Sequence, residues 1–230
     1  MKNLFKRAIE GDITILNDPD CSIIKHKYDD RTPLHLLANS GEIKVLNHPD
    51  CSKIKDDFGS TPLHELARTG KIEVLSHPDC SIVKDRAGNT PLHWLASAGK
   101  IEVLSHPDCS IVKDDDGNTP LHRLASAGKI EALSHPDCSL VKNNGGRTPL
   151  HRLASKEKIE VLSHPDVSKV KDNEGETPLH WLALTGKIEV SDLKKLFPWY
   201  LRKKKGRVKE EEITEILNTP QAIQYILEED

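Results

Sequence analysis

TPLHELARTGKIEVLSHPDCSIVKDRAGN, residues 61–89, runs directly into TPLHWLASAGKIEVLSHPDCSIVKDDDGN, residues 90–118. Working outward, the tetrapeptide Thr-Pro-Leu-His begins at Thr32, Thr61, Thr90, Thr119, Thr148 and Thr177, always 29 residues apart. A unit this short cannot bury an apolar face alone. The copies must stack on their neighbours and share a continuous core, which predicts an elongated repeat array rather than a globular domain.

Within residues 61–89, Thr61 is a good N-cap and Pro62 suits the first helical position, where its missing N–H needs no partner. A helix starts there, and Gly70 is placed to end it in a left-handed conformation. Ile72, Val74 and Leu75 then predict a second, shorter helix, which Pro78 stops. Ile82 and Val83 read as an extended apolar pair, and Gly88 as a tight turn into the next Thr-Pro. Neither helix reaches the ~12 residues that mark marginal stability in isolation, so stacking must hold them.

TPLHxLAxxG, then IEVL, a loop, and Asp-x-x-Gly-x leading to the next Thr-Pro-Leu-His resembles the ankyrin repeat over residues 32–190. The resemblance implies a mainly α solenoid of paired short antiparallel helices joined by β-turn or hairpin loops. The family repeat has about 33 residues. The shortfall here falls in the second helix, where His-Pro-Asp replaces a longer leucine-rich turn, and Leu66 stands where the family has the first of two alanines. Residues 1–31 read as a degenerate N-terminal capping copy, carrying Asp18-Pro19-Asp20-Cys21-Ser22 without Thr-Pro-Leu-His, and residues 191–230 as a helical C-terminal cap or tail.

The two quoted units differ only at Glu65/Trp94, Arg68/Ser97, Thr69/Ala98, Arg86/Asp115 and Ala87/Asp116. On a helical wheel Leu63, Leu66 and Ala67 form one stripe, and Glu65, Arg68 and Thr69 lie opposite it. The differences therefore map to a face expected to turn away from the core and to the turn tips. In the ankyrin family the first helix and the tips line a concave face that binds other proteins, and the resemblance implies that role here. The first variable helix position reads Leu36, Glu65, Trp94, Arg123, Arg152 and Trp181, and its two tryptophans and two arginines are of the residue types that dominate interface energetics. Together with Arg68 and the turn residues Phe58, Asp116 and Glu174, this row is the expected partner-binding surface. Its arginines suit carboxylates and its tryptophans suit apolar anchors.

Other chemistries find less support. Five cysteines, Cys21, Cys51, Cys80, Cys109 and Cys138, occupy equivalent sites. Stacked helices lie roughly 8–10 Å apart, beyond the roughly 7 Å Cα limit of a disulfide, so free thiols and a reducing, cytoplasmic setting are expected. The repeated histidines are too dispersed to share one zinc. His77, Asp79 and Cys80 recur on an open ladder with no single pocket for nucleophilic catalysis. No glycine-rich phosphate loop occurs, so neither enzyme nor cofactor is expected. The His-Pro-Asp tripeptide matches the J-domain signature, yet it recurs five times in a loop, and helix termination accounts for it.

A formal charge of -3 favours neither nucleic acid nor an anionic membrane, and no stretch reads as a membrane span or secretory signal. The expected function is noncatalytic binding of a partner protein by a monomer. The alternative is an adaptor whose basic-aromatic segment 197–207 contacts membrane or nucleic acid. One unit departs from the pattern: Glu157 stands where the others carry Gly41, Gly70, Gly99, Gly128 and Gly186. A left-handed non-glycine residue costs roughly 1 kcal/mol or more, so that turn should be altered or softer.

Overall fold

Each Thr-Pro-Leu-His does open a helix. The computed structural model describes residues 2–185, and it carries α1 (Lys2–Ile9), α2 (Pro33–Asn39), α3 (Pro62–Arg68), α4 (Pro91–Ser97), α5 (Pro120–Ser126), α6 (Pro149–Ser155) and α7 (Pro178–Leu184). No strand occurs among the described residues. The proposed C-terminal cap and the 197–207 segment lie outside them.

The start of α3 shows why the motif works. The Thr61 backbone N–H donates to His64 Nδ1 at 3.1 Å, and the Thr61 hydroxyl oxygen lies 2.9 Å from the same nitrogen. A nitrogen that accepts from an N–H carries no proton, so the imidazole proton sits on Nε2 and donates to the Asn89 carbonyl at 3.1 Å, in the next loop. Histidine thus replaces the glutamate of an ordinary capping box and ties this repeat to the following one. His35 reaches the Ser60 carbonyl, His93 that of Asn118 and His151 that of Glu176 in the same way.

The helix closes with a Schellman pattern. Gly70 N–H bonds the Ala67 carbonyl at 2.9 Å and Lys71 N–H that of Leu66 at 3.2 Å, with Gly70 at φ +76°. Glu157 adopts φ +59°, its N–H bonds the Ala154 carbonyl at 2.9 Å, and the Lys158 N–H bonds that of Leu153 at 3.2 Å, the same pair as at Gly70. The expected alteration of this turn is therefore corrected: neighbouring bonds hold the conformation that the side chain disfavours.

The expected second helix is a single five-residue 3-10 turn, Ile72–Ser76 in this unit. His77 follows, its Nδ1 accepting from Asp79 N–H at 3.1 Å. The Ser52 hydroxyl, one unit earlier, donates to Asp79 Oδ2 at 2.6 Å, and Ser81 repeats this with Asp108. The His-Pro-Asp tripeptide is thereby used in turn capping and in a bond between units. The apolar pair divides: Val83 is half-buried, and Ile82 is 68% exposed at the end of a turn.

The chain forms two compact units, Met1–Ala127 and Gly128–Asp230. In the first, α1 through α5 pack each on the next in chain order; in the second, α6 packs on α7. Each repeat delivers the same groups to the core, in one case Leu63, Leu66, Ala67, Val74 and Cys80, all at most 1% exposed. None of the five cysteines is in a disulfide, and all five are buried. Burial pushes Cys21 and Cys80 up to about 11 and Cys51 and Cys138 up to about 12, which keeps them protonated.

Candidate functional site

The loops before α3, α4, α5 and α7 are each built on one acid, Asp56, Asp85, Asp114 or Asp172, and Asn143 takes that place before α6. Asp85 Oδ1 accepts from the Ala87 and Asn89 amides, both at 2.9 Å, which folds residues 85–89 into a tight tip. Successive tips are joined by their backbones, Arg86 N–H donating to the Phe58 carbonyl at 2.9 Å and Asp115 N–H to that of Ala87 at 3.1 Å. A Cβ on Gly59 would lie 2.8 Å from the Arg86 nitrogen, so glycine is required where the tips meet.

The second oxygen of that acid explains the variable helix position. Trp94 Nε1 donates to Asp85 Oδ2 at 3.1 Å, and Arg123 Nη2 donates to Asp114 Oδ2 at 2.7 Å. The Asp114 side chain is 1% exposed, so an unsatisfied oxygen there would be costly. At these two repeats tryptophan and arginine share an N–H donor at the end of a long side chain, whereas in the last repeat Trp181 Nε1 and Asp172 Oδ2 are buried without a hydrogen bond.

Glu65 cannot donate, and it is 3% exposed. The expectation that it faces solvent is corrected, and the cause is Arg31 in the preceding loop. Its Nε reaches Asp56 Oδ2 at 3.3 Å and its Nη2 reaches Glu65 Oε1 at 3.0 Å. Arg68 closes the pair from outside, donating to Glu65 Oε2 at 2.7 Å and also bonding Asn39. Arg123 makes the corresponding reach backward, to Asn89 Oδ1 at 3.1 Å.

In the second unit Arg147 stands over the Trp181 ring at 4.5 Å from its centroid, and the His151 ring meets the indole edge-on. Arg147 also pairs with Asp172 at 3.6 Å and Glu174 at 3.2 Å. Trp181 and Arg152 are half-buried, and Glu174 is exposed. Asp172, Glu174 and Glu176 bring carboxylates within 4.8 Å of one another, but Arg147 already supplies their positive charge and turn amides occupy Asp172 Oδ1.

The row is thus neither core nor freely exposed. Trp94, Arg123, Arg152 and Trp181 are all half-buried, and Glu65 is enclosed. The first unit does bring Phe58, Glu65, Arg68 and Trp94 around one surface hollow of about 400 Å³, with Arg31, Arg86 and Ala87 completing its wall. Asp116 is exposed on the tip of the next repeat. The roles of Arg31, Asp85 and Arg147 are absent from the sequence reading. The signal for the two arginines was the residue just before each Thr-Pro, which reads Arg31, Ser60, Asn89, Asn118, Arg147 and Glu176 and, except for the last, lies 34 positions ahead of a variable helix residue. No helix among the described residues is long and apolar enough to cross a membrane. No protein-family model and no curated protein matches this chain.

Proposed function

We propose that the chain is an ankyrin-like repeat module that binds a partner protein, without catalysis, through its first-helix and turn-tip face. One observation carries this reading. Five residues at the positions where units 61–89 and 90–118 differ, Glu65, Arg68, Arg86, Ala87 and Trp94, line the same hollow. Core residues are alike in the two units, and those that differ gather around this one hollow. The ankyrin-like assignment is supported by the capped seven-residue helices, the Schellman ends and the bonded turn tips. A binding rather than catalytic role is supported by buried thiols held protonated and by histidines whose ring nitrogens are both engaged.

The test is capture from an extract of the source cell by the full chain and by a variant carrying Phe58→Ala, Arg86→Ala, Asp116→Ala and Glu174→Ala. These four side chains are exposed, so the fold should persist. Partners retained by the wild type and lost by the variant support the proposal; identical capture by both would refute it.

A further inference from the structure

We propose that the hollow between Phe58 and Trp94 receives an extended segment of the partner in which a carboxylate neighbours an apolar side chain. This deepens the protein-binding reading and rests on it.

The argument follows from which groups around the hollow are already used. Glu65 accepts from Arg31 on one oxygen and from Arg68 on the other. Asp85 accepts two amides on Oδ1, and on Oδ2 the Trp94 indole and the Asn89 side chain. Both acids of the wall are consumed within the protein. Arg31 and Arg68 are equally committed, to Asp56, Glu65 and Asn39. Arg86 is the exception: its backbone is pinned to the Phe58 carbonyl at 2.9 Å, while its exposed guanidinium makes no hydrogen bond or ion pair among the described residues. The capacity left over in the hollow is that of a donor with full positive charge, whose natural complement is a carboxylate.

The apolar half is equally specific. Phe58 is 63% exposed at the tip beside Arg86, an unusual position for an aromatic ring without a partner. Trp94 has spent its N–H on Asp85, so what it offers a ligand is ring surface, and Ala87 adds a small apolar patch. Because Phe58 and Arg86 sit on tips joined backbone to backbone, their separation is set before binding, which lowers the ordering cost.

A polyanion is a poor match, since one free guanidinium beside two carboxylates cannot neutralise a run of phosphates. A small metabolite would need several convergent polar groups, and here they are already satisfied internally. An extended chain gathers the rest of its affinity from neighbouring surface.

The probe is a random-peptide display library panned on the full chain, with selected peptides then labelled and titrated by fluorescence polarisation. Peptides should be enriched in Asp or Glu beside an aliphatic or aromatic residue. Phe58→Ala and Arg86→Glu should each weaken them by about tenfold or more without shifting the circular-dichroism melt. Arg86→Glu should in turn enrich peptides with Lys or Arg at the acidic position. Enriched peptides without acids, or binding indifferent to both substitutions, would overturn the assignment. So would labelled oligodeoxythymidine bound through the same two residues. A selection that enriches nothing overturns it as well, and the four-site capture experiment then shows separately whether the wider reading survives.

Discussion

Trp94 Nε1 and Asp85 Oδ2 lie 3.1 Å apart, so a helix residue that differs between otherwise matching repeats is bonded to the acid that shapes its own turn. The same contact is made by Arg123 on Asp114. In these two repeats the variable residue supplies a donor to the loop acid, and its remaining chemistry differs.

Exchanging donors should therefore be mild and deleting the donor should not. Trp94→Phe keeps most of the ring but leaves Asp85 Oδ2 with Asn89 alone, at 3.3 Å. We expect a loss of about 1–2 kcal/mol in urea denaturation, and a smaller loss for Trp94→Arg, which copies the arrangement at Arg123.

Arg31 holds two buried carboxylates, Asp56 and Glu65, whose side chains are at most 4% exposed. Removing one partner of a buried pair leaves uncompensated charge, so Arg31→Ser should cost about 3 kcal/mol. Adding Glu65→Trp recreates the Ser60/Trp94 combination of the following repeat, and the double variant should recover part of that loss. A non-additive thermodynamic cycle is the expected readout, and strictly additive losses would contradict the coupling.

Burial pushes His93 down to about 4, helped by Arg123 and Lys84, with its bond to the Asn118 carbonyl and the charge of Asp114 acting in the opposite sense. His35, His64 and His151 shift in the same direction, burial again being the first cause. An unfolded histidine titrates near 6.5, so between that value and 4 the unfolded state binds more protons. The stability conferred by neutral His93 is complete above about pH 6.5 and lost progressively as pH falls to 4, on the order of 3 kcal/mol for this residue. Unfolding free energy measured across that window should fall with acid, and His93→Gln should flatten the slope.

Glu157 keeps a left-handed backbone that its repeat neighbours assign to glycine. Glu157→Gly should stabilise the chain by about 1 kcal/mol. Native-state hydrogen exchange should show residues 148–176 less protected than 90–118, with the difference narrowing in the variant. Equal protection in the wild type would oppose this.

The sequence alone determined the repeat period, the start of each Thr-Pro-Leu-His helix and the apolar residues that each helix buries. Those features depend on groups a few residues apart: Thr61 capped by His64, Pro62 at the first turn, Gly70 in the left-handed region. It also marked where the units differ. It did not reveal that Glu65 is enclosed or that Trp94 is latched, because the partners responsible lie in other segments: Arg31 is 34 residues from Glu65 and Asp85 sits across a turn from Trp94. A helical wheel places a side chain relative to its own axis, whereas burial is decided by what neighbouring repeats lay over it. Tertiary structure alone decided that the Arg86 guanidinium makes no hydrogen bond or ion pair among the described residues, and that is where the recognition chemistry is proposed to reside.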